Sequence, residues 1–176
     1  KVKLNYHNLK RSLPKIVNQI QQICNFHKND KGIIHTHNNT ITNFISENVT
    51  DQRFLIREPG VRNEIILEEH INTDDPTVLI SPSMSRGVDL KDNLARFQII
   101  VKAPYLPAKD KRIEKLMKDD FNWYINKMLC SVIQSCGRGV RSKKDHCITY
   151  ILDGAIVESI VNNKHKLPKY FLDRFL

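Results

Sequence analysis

The 176-residue sequence lacks any apolar run approaching the roughly 20 residues that a membrane span requires. Its first residues, KVKLNYHNLKRSLPK, lack the apolar centre of a secretory signal. These absences argue against a membrane partner and predict a cytoplasmic protein, or a nuclear one in a eukaryote. Cysteine is sparse: Cys24, Cys130, Cys136 and Cys147 form no CxxC pair and have no histidine at zinc-finger spacing. The reading is reduced thiols, several of them buried, with no metal bound by this chain. Internal repeats and low-complexity linkers are also missing, so a single domain over residues 1–176 is expected. The chain opens on Lys1, with Leu13-Pro14 already inside an amphipathic pattern, which reads as a fragment of a longer protein.

What is abundant is positive charge, +9 overall and unevenly spread. Residues 1–31 carry 7 basic against 1 acidic side chain, residues 32–90 carry 4 against 9, and residues 91–176 carry 17 against 9. A balance of this kind fits a polyanionic partner, nucleic acid before membrane, although a lysine-rich solvated surface gives the same count.

Periodicity predicts alternating helices and strands. Leu9, Leu13, Ile16, Val17, Ile20 and Ile23 recur at helical spacing, and Gly32 then introduces the short run GIIHTH. Asn38-Asn39-Thr40 offers cap chemistry for a helix over TITNFISENV, and RFLIREPG reads as a strand ended by Pro59-Gly60. VRNEIILEEHI is a third helix, followed by TVLIS and FQIIVKAP as buried strands. KRIEKLMKDDFNWYINKMLCSVIQ reads as one long helix with Phe121, Ile125, Met128, Leu129, Val132 and Ile133 on its apolar stripe, and CITYILD as a closing strand. Short apolar strands alternating with helices predict an α/β fold: a mostly parallel sheet covered on both faces.

Ligands of open α/β sheets sit at the carboxyl ends of strands, which directs attention to the loops there. Three segments stand out: Thr36-His37-Asn38, SPSMSRGVDL and QSCGRGVR. Gln134, Arg138 and Arg141 are spaced four and three apart, so all three are expected to project from one helical face near the end of the helix. Two guanidiniums and a carboxamide suit phosphoryl oxygens, while GRxxR seen alone reads first as a solvated basic face continuing into Ser142-Lys143-Lys144. Gly87 permits close ligand approach, and Asp89 could reach a ribose hydroxyl or a metal-bound water, or cap a helix. His35 and His37 alternate about Thr36; without a third ligand they read as one core and one surface histidine. Cys136 reads as a small packing residue.

VLISPSMSRGVDL, FQIIVKAPYLP and FNWYINKMLCSVIQSCGRGVRSKKDHCITYILD, in that order, resemble the C-terminal RecA-like domain of superfamily 2 helicases of the XPD/DinG type. In that family the SRGVD-like segment is motif V, Q-x-x-G-R-x-x-R is motif VI, and GIIHTHN falls where motif IV lies. The resemblance implies that Gly87 and Asp89 lie beside the nucleotide and that Gln134 orients its phosphates. It implies that Arg138 and Arg141 contact the γ-phosphate, Arg141 as arginine finger. It also implies that Thr36, His37, Asn38, Arg57, Ser83 and Ser85 face the backbone of a nucleic-acid strand, single-stranded DNA first. The sequence departs from the family at Arg86, where an acidic residue is usual, and at Cys147, where glycine is usual.

No G-x-x-x-x-G-K-[ST] loop and no DExH-type box for magnesium occurs in these residues. The resemblance assigns both to a first RecA-like domain on the same polypeptide, with which ATP and Mg2+ would be shared. This chain alone is therefore expected to be inactive as an ATP hydrolase. RNA helicases, double-strand translocases and non-catalytic nucleic-acid scaffolds of RecA-like fold are the alternatives that the residues leave open.

Overall fold

The computed structural model describes residues 2–56, 61–82, 90, 92–137, 140 and 145–173. Five strands form one sheet: β1 (Gly32–His35), β2 (Phe54–Leu55), β3 (Val78–Ser81), β4 (Phe97–Ile100) and β5 (Ile148–Ile151). They are ordered β2-β3-β1-β4-β5, and all four pairings are parallel. The helices are α1 (Leu9–Phe26), α2 (Asn39–Asn48), α3 (Asn63–Asn72), α4 (Lys111–Asp119), α5 (Phe121–Cys136), α6 (Gly154–Asn162) and α7 (Lys169–Leu172). This is the expected mostly parallel, RecA-like sheet with helices on both faces.

The period-2 alternation of the strands divides the core. Ile34, Val78, Ile80, Phe97 and Ile99 point to one face, where Leu13, Ile16, Val17 and Ile20 of α1 and Ile41 and Ile45 of α2 cover them. On the other face Ile33 and Leu79 meet Ile66 of α3, and Ile100 and Ile151 meet α5 and α6. The direction of chain travel accounts for this. Parallel crossovers have one hand, so a step from β1 outward to β2 carries its helix on one face, and the opposite steps, β2 to β3 and β4 to β5, carry theirs on the other.

One departure from the sequence reading has a local cause. The long helix is two helices, because Asp120 ends α4 and also caps α5, its Oδ1 accepting from Trp123 N at 3.0 Å. Phe121 consequently sits in the first turn of α5 and is exposed, while Met128, Leu129 and Val132 carry the buried stripe. Within the expected strand RFLIREPG, the described residues form strand at Phe54–Leu55 on the sheet's edge, where Phe54 is buried and Leu55 partly so.

Gly32 begins β1 where a side chain has no room. A Cβ there would lie 2.2–2.6 Å from three atoms of the Phe97 ring. That ring is fully buried and stacked on His27, with centroids 4.5 Å apart. Gly32→Ala is therefore expected to destabilise the domain by about 1–3 kcal/mol through overpacking. A fall in the urea midpoint at unchanged slope checks this; an unchanged midpoint would mean that the ring moves aside freely.

Candidate functional site

Of the described candidate residues, Thr36, His37 and Asn38 follow β1 at the carboxyl edge of the sheet, and Gln134 lies in the last turn of α5. In a parallel sheet, every helix that precedes a strand ends at the amino edge, and the connection from β3 must return there to enter β4. The residues flanking Asp89 and Arg141, namely Leu90 and Asp92 on one side and Val140 and Asp145 on the other, belong to these two returning segments.

The two returning segments are tied together by Asp145. Its Oδ1 lies 2.9 Å from Nη1 of Arg96, and its Oδ2 accepts from the backbone N–H of Asp92 at 3.2 Å. Asp92 holds φ at 57°, a left-handed conformation that a short polar residue tolerates better than a bulky one. The side chain of Asp145 is 1% exposed and that of Arg96 20%. Arg96 is itself fixed: its N–H donates to Lys31 O, its carbonyl accepts from Ile148 N, and its Nε donates to Asn93 Oδ1. Leu90 is buried beside Ile33, Leu79 and Ala95, with Cys147 packed against the same cluster. A cavity of about 400 Å³ opens here between Asp30, Lys31, Asp74, Asn93 and Arg96.

Gln134 lies exposed in the last turn of α5. The helix ends at Cys136, Gly137 donates its N–H to Ile133 O, and Val140 is not helical. The helix therefore carries Gln134 alone of the three residues expected on one face. Arg138, Arg141, Gly87, Asp89 and Arg86 lie outside the described residues, as do Arg57, Ser83 and Ser85. Cys136 is buried in the core, in keeping with a packing residue. Burial pushes the thiol of Cys24 up to about 12, which leaves it protonated and unreactive at neutral pH.

At the opposite, carboxyl edge, roughly 13 Å away along four-residue strands, β1 delivers Thr36, His37 and Asn38. Thr36 departs from the expectation of a strand-facing residue. It is fully buried, and its hydroxyl is bonded to Thr42 Oγ1 at 2.6 Å. Asn38 caps α2, with its Oδ1 accepting from Ile41 N at 3.1 Å. His37 adopts φ 52° and stacks on His35, ring centroids 6.0 Å apart. Its Nε2 is buried without a hydrogen-bond partner among the described residues. Burial depresses its pKa to about 4, so the ring is neutral at physiological pH. His35 is the core histidine, its Nε2 3.3 Å from Gln98 Oε1, and Gln98 in turn donates to Thr149 Oγ1 at 2.8 Å.

The amino edge is braced by a second set of polar contacts that the sequence did not announce. Lys31 Nζ donates to the carbonyls of His70 and Thr73 at the end of α3. His70 is fully buried between Thr77 Oγ1 and Leu94 O, each 2.8 Å from a ring nitrogen. The Leu94 carbonyl requires a proton on Nε2, so Nδ1 accepts from Thr77. Burial lowers the pKa of this ring, which keeps it in the neutral form that these bonds require.

Chemically, a guanidinium carries only donors, which suit phosphate oxygens, whereas the carboxamide of Gln134 offers a donor NH2 and an acceptor oxygen. No group of three or more metal-ligating side chains occurs among the described residues, and no described helix is long and apolar enough to cross a membrane.

The comparisons with known proteins converge. The family model "Helicase C-terminal domain" matches residues 20–172. The ATP-dependent DNA helicase CHL1 of Debaryomyces hansenii is 28% identical over 138 residues, 63% of this chain and 17% of that protein. CHL1 of Scheffersomyces stipitis is 27% identical over 143 residues, 66% of this chain and 17% of that protein. Among solved structures, apo XPD matches with a TM-score of 0.71 at 19% identity over 93% of this chain and 36% of its own. Xpd4 of S. tokodaii matches at 0.66 and 14% identity, over 97% of this chain and 36% of its own. The chain thus spans about a sixth of the curated relatives and about a third of the solved chains. With the fold shared and the family model covering nearly the whole sequence, the chain belongs to the helicase C-terminal domain family.

Proposed function

We propose that this domain is the second motor domain of an ATP-dependent DNA helicase. The observation that carries this reading is the Asp145 junction, which joins the flanks of motif V to those of motif VI at the amino edge while the GIIHTHN loop lies at the other edge. On the nucleotide side, Gly87 and Asp89 approach the ribose, Gln134 orients the phosphates, and Arg138 and Arg141 neutralise charge on the transferred phosphoryl group. Arg141 acts as the arginine finger. The phosphate loop and the carboxylates that hold Mg2+ come from a first RecA-like domain, since the sequence carries neither a G-x-x-x-x-G-K-[ST] loop nor a DExH-type box.

On the strand side, His37, Asn38, Arg57, Ser83 and Ser85 meet the sugar–phosphate backbone, and Thr36 supports the loop from within through Thr42. Closing around ATP and opening after hydrolysis alternates the grip of the two domains, which converts hydrolysis into movement along DNA.

Binding of labelled single-stranded oligonucleotides to the 176-residue chain tests the strand side. Affinity is expected to be weak, indifferent to base sequence, and to fall steeply between about 50 and 200 mM salt as cationic contacts release counterions. Base-specific binding that ignores salt would contradict a motor that must travel over every sequence.

A further inference from the structure

We propose that Asp145 is a positioning residue for ATP hydrolysis, holding the segment that carries Arg141 in register with the segment that carries Asp89 through its paired contacts to Arg96 and Asp92. The inference deepens the proposed motor function and rests on it. Asp145 follows Arg141 by four residues, and Asp92 follows Asp89 by three. One carboxylate therefore joins the two stretches of chain that bear the groups assigned to the phosphoryl and ribose moieties.

The junction is built for fixed geometry, and the two carboxylate oxygens divide the contacts between them. Oδ1 accepts from Arg96 Nη1 and from the backbone N–H of His146, both at 2.9 Å, while Oδ2 accepts from Asp92 N at 3.2 Å. Arg96 adds a 3.3 Å contact from Nη1 to the carbonyl of His146, so the guanidinium grips both the carboxylate and the chain beside it. Its own backbone is clamped between Lys31 and Ile148, at the entries to β1 and β5. Arg96 thus transmits the position of the rigid sheet to the carboxylate, and the carboxylate transmits it to two loops. Asp92 is held at φ 57° at the receiving end, where release of Oδ2 would free it to relax. A nearly fully shielded carboxylate is a stiffer link than an exposed pair, whose long side chains wander.

Such a link matters to catalysis because an arginine finger acts only in the transition state, and a displacement of about 1 Å can cost on the order of 10²-fold in rate. Asp145→Asn preserves the shape and one acceptor but removes the charge that holds Arg96. In the full-length protein it is expected to lower kcat for DNA-stimulated ATP hydrolysis by on the order of 10²-fold, leaving the KM for ATP and the affinity for single-stranded DNA within a few-fold. Arg96→Gln, which removes the other partner, is expected to do the same. Because both act through Arg141, neither substitution should lower hydrolysis further in an Arg141→Ala background.

The experiment is a double-mutant cycle of Asp145→Asn and Arg141→Ala, with Arg96→Gln and Arg141→Ala as its second arm. Single-turnover hydrolysis is followed below the melting temperature of every variant. Non-additive losses confined to kcat support the proposal. Additive losses overturn it, as does normal kcat accompanied by a lowered melting temperature, which would make the junction merely structural. Should Arg141→Ala itself hydrolyse ATP normally, the motor reading beneath the proposal fails, a result distinct from additivity.

Discussion

Arg141→Lys in the full-length protein is expected to lower ATP hydrolysis almost as far as Arg141→Ala, by on the order of 10³-fold or more. Lysine keeps the charge but loses the planar fork that meets two phosphoryl oxygens at once. The pattern of what stays constant is as informative as the loss. Arg141 is assigned to the nucleotide edge, so single-stranded DNA affinity without nucleotide should be preserved at matched salt, as should the melting temperature. Steady-state hydrolysis at saturating DNA, a salt-matched binding titration and a thermal melt together check this. Near-normal hydrolysis with weakened DNA binding would move Arg141 from the phosphate to the strand.

The second large effect is on folding, at Asp153. This carboxylate is fully buried beyond the end of β5, and it accepts from three backbone N–H groups: Leu4 at 3.0 Å, Ala103 at 2.9 Å and Ala155 at 2.9 Å. It therefore caps α6, closes the loop after β4 and anchors the segment before α1. Asp153→Ala leaves all three donors buried without a partner, and the expected cost is about 3–5 kcal/mol. Against a typical domain stability of about 5–15 kcal/mol, that is a large share. Asp153→Asn is expected to cost nearly as much, because its amide presents an NH2 where an acceptor is needed. Urea unfolding of the three proteins measures it; an Asn variant as stable as the parent would show that the second oxygen is dispensable.

The frame of the fold was legible because its strands are continuous apolar runs: buried on both faces, GIIH, VLIS and FQII need no polar alternation. Less visible was α6, whose signal was nonetheless present in Asp153 as a cap followed by Ile156 and Ile160 on one face. The break at Asp120 was likewise written in the cap chemistry of Asp119-Asp120, but the apolar stripe continues through it and masked the division. Of the candidate site, the order of the segments along the chain was legible, and the contacts that link their flanks were not. The contact of Arg96 with Asp145 spans 49 residues of sequence, and no local pattern announces it.

The central claim is that this chain supplies one half of an ATP site whose other half lies on a first RecA-like domain. ATP hydrolysis by the 176-residue chain alone, compared with the same chain joined to a first domain bearing the phosphate loop, tests it most directly. The account predicts background turnover for the isolated chain, with or without single-stranded DNA, and DNA-stimulated turnover on joining that Arg141→Ala abolishes. Turnover by the isolated chain that survives purification controls and depends on Arg141 would contradict it.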